Sequence, residues 1–266
     1  MSLEHLARPL SSALSSACAT RRTPGWSLDS HLGNDADKAC LAGLIGSRRD
    51  PALLLTASHG VGFPAGDARQ ASCQGALLCQ DWPGPLAHAG ALPPAFFFSG
   101  EDARRGPSPA GLVSLHFACY SAGTPQFDNF AAGTRQAPRR IAAAPMLAPL
   151  AQQLLGHAGG GALAFIGHVD RAWGYSFMWP GAKAAQIGMF EDLLCSLMDG
   201  YTVGHAMDIF GLRHAVLAAG LTEELGRIRN GRKIDHARIA GMWTALNDAR
   251  NYVIVGDPAV RLAALA

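Results

Sequence analysis

The chain has 266 residues, of which 49% are hydrophobic, and a formal net charge of +2 at pH 7. This length suffices for one large α/β domain with a substantial core. The small net charge gives no electrostatic reason to expect a nucleic-acid or membrane partner, and no apolar run reaches the roughly 18 residues that a membrane-spanning helix needs.

The cysteine pattern and the N-terminal sequence indicate the cellular compartment. The sequence contains six cysteines without a CxxC pair or a zinc-like spacing, and its N-terminus is not of the signal type. These features predict reduced thiols in a cytoplasmic protein, and they give no reason to expect a metal or another cofactor.

The N-terminal part is weakly patterned. Residues 1–33 predict a short helix and a loop, and we expect them to be an extension or the remnant of an upstream domain. Residues 34–266 are predicted to form the main domain, with a first helix that starts at Asn34 or Asp35, each a good N-cap. Because no strand pattern precedes this helix, we expect the chain to be the C-terminal part of a longer protein, with an upstream domain as a partner, or to have an atypical first strand.

Two apolar stretches predict neighbouring strands with reactive residues at their ends. Residues 51–60 read PALLLTASHG and end in His59 and Gly60, and residues 111–123 read GLVSLHFACYSAG with an apolar run that leads to Cys119. In open α/β sheets, ligands bind beyond the carboxyl ends of the strands. Adjacent parallel strands would therefore bring imidazole and thiol together, which predicts a cysteine nucleophile with a histidine base.

The structural interpretation of each residue competes with this hypothesis. Free cysteines are often buried core residues, and a histidine after a strand is often only a hydrogen-bonded structural residue. The presence of both at strand ends favours the catalytic interpretation. The backbone N–H groups of Gly60 and Cys119 are then the candidate donors to an oxyanion.

The remaining elements follow from apolar spacing and turn residues. Residues 75–82 predict a short strand, and the rest of 61–110 is expected to be loop and connector. A basic loop follows Cys119, and a later strand ends near His168, a competing base. Helices are expected over 146–156, 181–198, 205–228 and 235–247, and strands over 162–166 and 252–255.

Four blocks in this order resemble the gingipain (C25) branch of the caspase-like, clan CD cysteine peptidases, to which CHAT domains are also related. They are the strand that ends in His-Gly, then FACYSAGTPQFD, AFIGHVDRAWG and NYVIVGDPAVRL. The second is the closest local match, because gingipains also have a cysteine followed by a short segment that ends in Gln-Phe-Asp. The resemblance extends from about residue 36 to the C-terminus.

The resemblance implies a caspase-like three-layer α/β sandwich, with a mostly parallel sheet flanked by helices. It implies a cysteine endopeptidase that hydrolyses a protein or peptide substrate through a Cys-His dyad. His59 would be the general acid and base and Cys119 the nucleophile, with the N–H groups of Gly60 and Cys119 as oxyanion donors.

The resemblance also suggests a substrate pocket. Trp173 would form a wall of the S1 pocket. From their positions close to Trp173 in the sequence, we predict Asp170 and Ser176 as further substrate-binding residues. A basic P1 side chain stacked on an indole would need a carboxylate at the pocket floor. We predict a basic P1 preference, and of the candidate carboxylates Asp170, Asp128 and Asp81 we favour Asp170, because it lies on the Trp173 loop.

Two other functions fit the same residues. One is a non-peptidase cysteine hydrolase or transferase that uses the dyad on a different acyl substrate. The other is a caspase-like scaffold or binding module without turnover, a possibility that the missing first strand favours. A panel of peptide and ester substrates would distinguish these alternatives.

Overall fold

A computed structural model of the protein describes residues 2–20, 25–46, 52–88, 90–131, 138–179 and 182–262. Its strands are β1 (Ala52–Ala57), β2 (Leu77–Leu78), β3 (Phe97–Phe98), β4 (Leu112–Phe117), β5 (Gly123–Thr124), β6 (Met146–Leu147), β7 (Ala164–His168) and β8 (Tyr252–Gly256). Its α-helices are α1 (Arg8–Ala19), α2 (Lys38–Ile45), α3 (Gln70–Cys73), α4 (Gly100–Arg105), α5 (Pro149–Leu155), α6 (Gly188–Met198), α7 (Val203–Arg229) and α8 (His236–Arg250). Within these described ranges, no helix combines the length and apolar character needed to cross a bilayer.

A four-stranded sheet in the order β1-β4-β7-β8 forms the centre of the fold. Strands β1, β4 and β7 are parallel, and β8 is antiparallel to β7. The two interior strands, β4 and β7, are buried along their whole length. This burial agrees with the apolar residues on both faces of each strand. The polar side chains of these strands, Ser114, His116 and His168, are buried as well.

Helices cover both faces of the sheet. Along β4, Val113 and Leu115 contribute to an apolar cluster that contains side chains of α1, α6 and α7. Phe165 of β7 belongs to a second cluster, with side chains of α2, α4 and α5. Since successive side chains of a strand point to opposite faces, these two clusters lie on opposite sides of the sheet. The fold is therefore mixed α/β, with a mostly parallel sheet between helices.

The N-terminal helix is longer than the sequence pattern predicts. A π-helical turn over Leu3–Ala7 leads directly into α1. Leu6, Leu10 and Leu14 are buried in the same apolar cluster as the sheet. Residues 2–20 are thus packed onto the core formed by the rest of the chain.

The start of α2 differs from the sequence prediction. Asn34 and Asp35 lie in a short 3-10 helix, Gly33–Asp35. The N-cap is Asp37, whose carboxylate accepts a hydrogen bond from the Cys40 N–H at 2.7 Å. This bond satisfies a free backbone donor in the first turn, so the helix begins three residues after Asp35. Within the described residues, no strand precedes it.

The segment predicted as connector before β4 contains two elements. Phe97 and Phe98 pair with Leu78 and Leu77 in a small antiparallel sheet, β2-β3. Helix α4 follows, because the Ser99 N–H and hydroxyl both donate to the Asp102 carboxylate at 2.8 Å. The expected helix at 146–156 is shorter, since residues 146 and 147 instead form β6 and Pro149 occupies the start of α5.

Candidate active site

The pairing of β1 with β4 places His59 and Cys119 at the same edge of the sheet. Ala57 is paired with Phe117 in the parallel register. The ladder continues one residue further, because the Ser58 N–H donates to the Phe117 carbonyl oxygen at 3.1 Å. His59 and Cys119 each follow the last paired residue of their strand by two positions, so the chain brings them side by side as the sequence predicts.

The His59 side chain is exposed at this edge. In the described part of the chain, no hydrogen bond joins its ring to Cys119. Catalytic hydrogen bonds are often long before substrate binds, so this separation is compatible with a base that acts only in a substrate complex.

Gly60 is in direct backbone contact with the candidate nucleophile. A Cβ atom at this position would lie 1.7 Å from the Cys119 carbonyl oxygen and 2.7 Å from the Cys119 backbone nitrogen. Gly60 also forms an isolated antiparallel bridge with Leu77, which fixes its backbone. Position 60 therefore requires glycine, because its backbone lies against that of Cys119. The N–H groups of these two residues are the proposed oxyanion donors.

The Cys119 thiol is partly buried, and its Sγ atom donates to the Ala172 carbonyl oxygen at 3.7 Å. Burial raises the pKa of this thiol above its ordinary value, and backbone hydrogen bonds from Ala172 and Gly60 and the charge of Arg171 oppose part of that rise. The thiol is thus mostly protonated near neutral pH. A base has to remove its proton before the sulfur can act as a nucleophile.

The residue after Cys119 has an uncommon backbone conformation. Tyr120 has a φ of 59°, and Asp170 has a φ of 71°. The two residues are joined, because the Tyr120 N–H donates to the Asp170 carbonyl oxygen at 2.7 Å. Left-handed conformations of non-glycine residues cost about 1–2 kcal/mol each, and they concentrate at functional sites. The structure thus holds the Cys119 turn and the Trp173 loop together at a conformational cost.

Trp173 lies on the loop that contacts the thiol. It directly follows Ala172, whose carbonyl accepts from Cys119. Its side chain is 38% exposed, and its ring centroid lies 5.6 Å from that of Phe130. Beside the cysteine, the indole therefore offers an aromatic surface to solvent.

Asp170, the favoured carboxylate for the pocket floor, is fully buried. Its carboxylate accepts from the Arg171 N–H at 2.7 Å and from the Asn129 N–H at 3.4 Å. Burial raises the pKa of Asp170, and the Arg171 N–H and charge oppose the rise. Groups of the protein itself thus already surround the carboxylate.

Arg171 is a prominent residue of this region that the sequence did not reveal as functional. Its guanidinium forms an ion pair with Asp128, and its Nε atom lies 3.7 Å from the Asp170 carboxylate. It also lies over two aromatic rings, 5.1 Å from the Phe130 centroid and 5.7 Å from the Trp173 centroid. Asp128 precedes it by 43 positions, so no local pattern indicates this contact.

Ser176 and His168 lie in the interior rather than at a surface that a substrate could reach. The Ser176 hydroxyl donates to the Asp248 carboxylate and bonds the Tyr252 hydroxyl, both at 2.7 Å. The His168 Nε2 atom lies 3.2 Å from the same carboxylate. Asp248 also accepts from the Trp173 N–H at 2.8 Å. These buried contacts with Asp248 hold the Trp173 loop against the interior of the protein.

The other polar candidates lie outside this cluster. The Asp81 carboxylate accepts from the Lys38 N–H at 2.7 Å, at the start of α2. All six cysteines are free thiols. Among the residues that the structure describes, no group of three histidine, cysteine, aspartate or glutamate side chains could hold a metal ion.

Fold and site together define an α/β protein with a cysteine and a histidine at the carboxyl ends of adjacent parallel strands. No protein-family model, curated protein or solved structure matches the chain. The likeness to gingipains therefore rests on the four sequence blocks alone.

Proposed function

We propose that the protein is a cysteine peptidase of caspase-like architecture, in which Cys119 is the nucleophile and His59 the general acid and base. The observation that carries this proposal is the register of β1 with β4, which brings the two residues to one edge of the sheet. The four blocks that resemble gingipains favour a peptide bond as the substrate. The six free cysteines agree with a reducing compartment such as the cytoplasm.

The proposed reaction uses the groups at this edge. His59 takes the Cys119 proton, and the thiolate attacks the carbonyl carbon of the scissile peptide bond. The oxyanion that forms accepts hydrogen bonds from the N–H groups of Gly60 and Cys119. When the C–N bond breaks, His59 returns the proton to the leaving amine. Water then hydrolyses the thioester, releases the acid and restores the thiol.

Turnover of a mixed peptide library by the unmodified protein and by Cys119→Ala and His59→Ala variants tests this proposal. We expect each variant to lose activity by at least about 100-fold, with an unchanged circular dichroism spectrum. Cys73→Ala and His31→Ala are matched controls, because Cys73 is also partly buried and His31 is also exposed. Retained turnover in the Cys119 variant would exclude the peptidase mechanism.

A binding module without turnover is the second candidate. One observation favours it: burial raises the pKa of the thiol, and no hydrogen bond links it to His59 within the described residues. A peptide carrying an electrophilic warhead distinguishes the two functions. Selective labelling of Cys119 supports a peptidase, whereas peptide binding without labelling or cleavage supports a module. Cleavage of esters but not peptides would instead indicate a non-peptidase hydrolase.

A further inference from the structure

Beside Cys119, the Arg171 guanidinium lies in a cage formed by two aromatic rings and two carboxylates. The rings of Phe130 and Trp173 have their centroids 5.1 and 5.7 Å from the guanidinium carbon. The carboxylates belong to Asp128, which forms an ion pair with Arg171, and to Asp170, 3.7 Å from its Nε atom. We call these four surrounding residues the guanidinium cage.

The composition of the cage suits a planar cation. Guanidinium groups stack on aromatic faces and bind carboxylates at the same time, which an ammonium group does less well. Asp128 and Asp170 are both buried, so without a cation they would be two carboxylates close together in a poorly solvated site. The cage is therefore built to hold one positive charge.

Arg171 fills the cage incompletely. Its side chain retains 32% of its accessible surface, so one side of the cage opens to solvent. Its Nε atom is buried and has no hydrogen-bond partner within the described residues. The guanidinium of another molecule can place its N–H groups so that none is left without an acceptor. Such a guanidinium can therefore take the place of the Arg171 side chain in the cage.

The cage adjoins the candidate nucleophile. The Cys119 thiol contacts the carbonyl of Ala172, the residue between Arg171 and Trp173. The backbone of Asp170 is hydrogen-bonded to that of Tyr120, the residue after the nucleophile. A substrate side chain that enters beside Cys119 along the indole of Trp173 would meet the occupied cage.

We propose that the Arg171 side chain occupies the S1 pocket from within the protein. It thereby closes the guanidinium cage to basic side chains of a substrate. The assignment of the cage to the S1 pocket rests on the proposed peptidase function. Binding of a cation to the cage can be tested without turnover. Occupation of the pocket by Arg171 revises the expectation of a basic P1 preference through Asp170. The unmodified protein does not select arginine or lysine, and removal of Arg171 creates that preference.

The first experiment measures binding of methylguanidinium chloride at millimolar concentration, with no peptide present. In Arg171→Ala, the ligand should give a saturable shift of the Trp173 indole N–H resonance, assigned with a Trp173→Phe variant. It should also raise the Tm of Arg171→Ala by about 2–4 °C. The unmodified protein should show neither effect.

Two variants control this measurement. Arg171→Lys keeps a cation in the cage, and we expect it to bind no methylguanidinium. Arg69→Ala removes a comparable contact elsewhere, because the Arg69 guanidinium lies 4.5 Å from the Phe63 ring centroid and 2.6 Å from the Asp67 carboxylate. This contact has one ring and one carboxylate, so its loss should create no saturable site.

The second experiment profiles a P1-varied peptide library. Relative to alanine at P1, Arg171→Ala should cleave after arginine about tenfold better than the unmodified protein does. If neither protein cleaves any peptide, the peptidase function fails, and the binding experiment still decides the nature of the cage.

Three results would overturn the proposal. They are a lack of methylguanidinium binding to Arg171→Ala, equal binding to the unmodified protein, and a basic P1 preference already present with Arg171 in place. If Arg171→Ala does not fold, Arg171→Gln keeps part of the packed stem without the charge. The same criteria then apply to Arg171→Gln.

Discussion

Gly60 and Cys119 are in contact through their backbones, so that a Cβ atom at position 60 would lie 2.6 Å from the Cys119 carbonyl carbon. The neighbour is main chain at the end of a buried strand and cannot rotate away. We therefore expect Gly60→Ala to lower the free energy of unfolding by about 3 kcal/mol and to abolish turnover. Urea unfolding followed by circular dichroism, together with a turnover assay, measures both effects.

A control for this substitution lies in α2. At Gly43 an added Cβ atom would meet nothing within 4 Å, so Gly43→Ala should leave turnover unchanged and stabilise the helix by up to about 1 kcal/mol. If Gly60→Ala were as stable and active as the unmodified protein, the two segments could not be packed as described.

Asp248 is the acceptor that ties the Trp173 loop to α8. Asp248→Asn removes one acceptor from Ser176 and Trp173 and leaves the buried Arg213 without its nearby counter-charge. We expect a loss of about 2–4 kcal/mol in the free energy of unfolding, and a shift of the Trp173 indole N–H resonance. Asp199→Asn, at the exposed end of α6, should change neither quantity. A loss below about 1 kcal/mol in Asp248→Asn would mean that the network does not stabilise the loop.

The raised pKa of Cys119 has a kinetic consequence. Only the thiolate is alkylated, so the rate of Cys119 modification by iodoacetamide should keep rising up to and beyond the ordinary thiol pKa of about 8.5. Mass spectrometry of the peptide that contains residue 119 follows the reaction between about pH 6 and pH 10. A rate that is already constant near pH 7 would instead indicate a thiolate preformed in the free protein.

His116 should make stability depend on pH. Burial lowers its pKa from 6.5 to about 3, so below about pH 6.5 the unfolded chain takes up a proton that the folded chain does not. This histidine should therefore lower the free energy of unfolding by about 1.4 kcal/mol per pH unit as the pH falls from about 6.5 towards 3. Urea titrations should show a slope shallower by this amount in His116→Gln, and equal slopes would contradict the neutral, buried state.

The sequence predicted the parts of the fold that local pattern controls. The apolar runs at β1, β4 and β8 and the helical spacing of α7 predict these elements correctly, whereas α6 begins at residue 188 rather than at 181. Strands β1 and β4, which lead to His59 and Cys119, are adjacent as predicted. Strands β2 and β3 have two residues each. The sequence predicts a strand over 75–82, which contains β2, but β3 carries too little periodicity to be predicted.

The surroundings of the site were harder to predict, because distant partners determine them. The sequence predicts Ser176 as a substrate-binding residue and His168 as a competing base. Both instead bind Asp248, which is 72 and 80 positions away. In the sequence, Arg171 likewise looks like an ordinary basic loop residue. Its contact with Asp128 forms only in the folded chain.

Buried leucines near both ends of the described chain share one core. Leu6, before α1, and Leu262, after β8, are both buried in the cluster that lies between the sheet and α6. Loss of either leucine would expose the same interior to water. A truncation that deletes Leu6 or Leu262 should therefore weaken the whole cooperative unit.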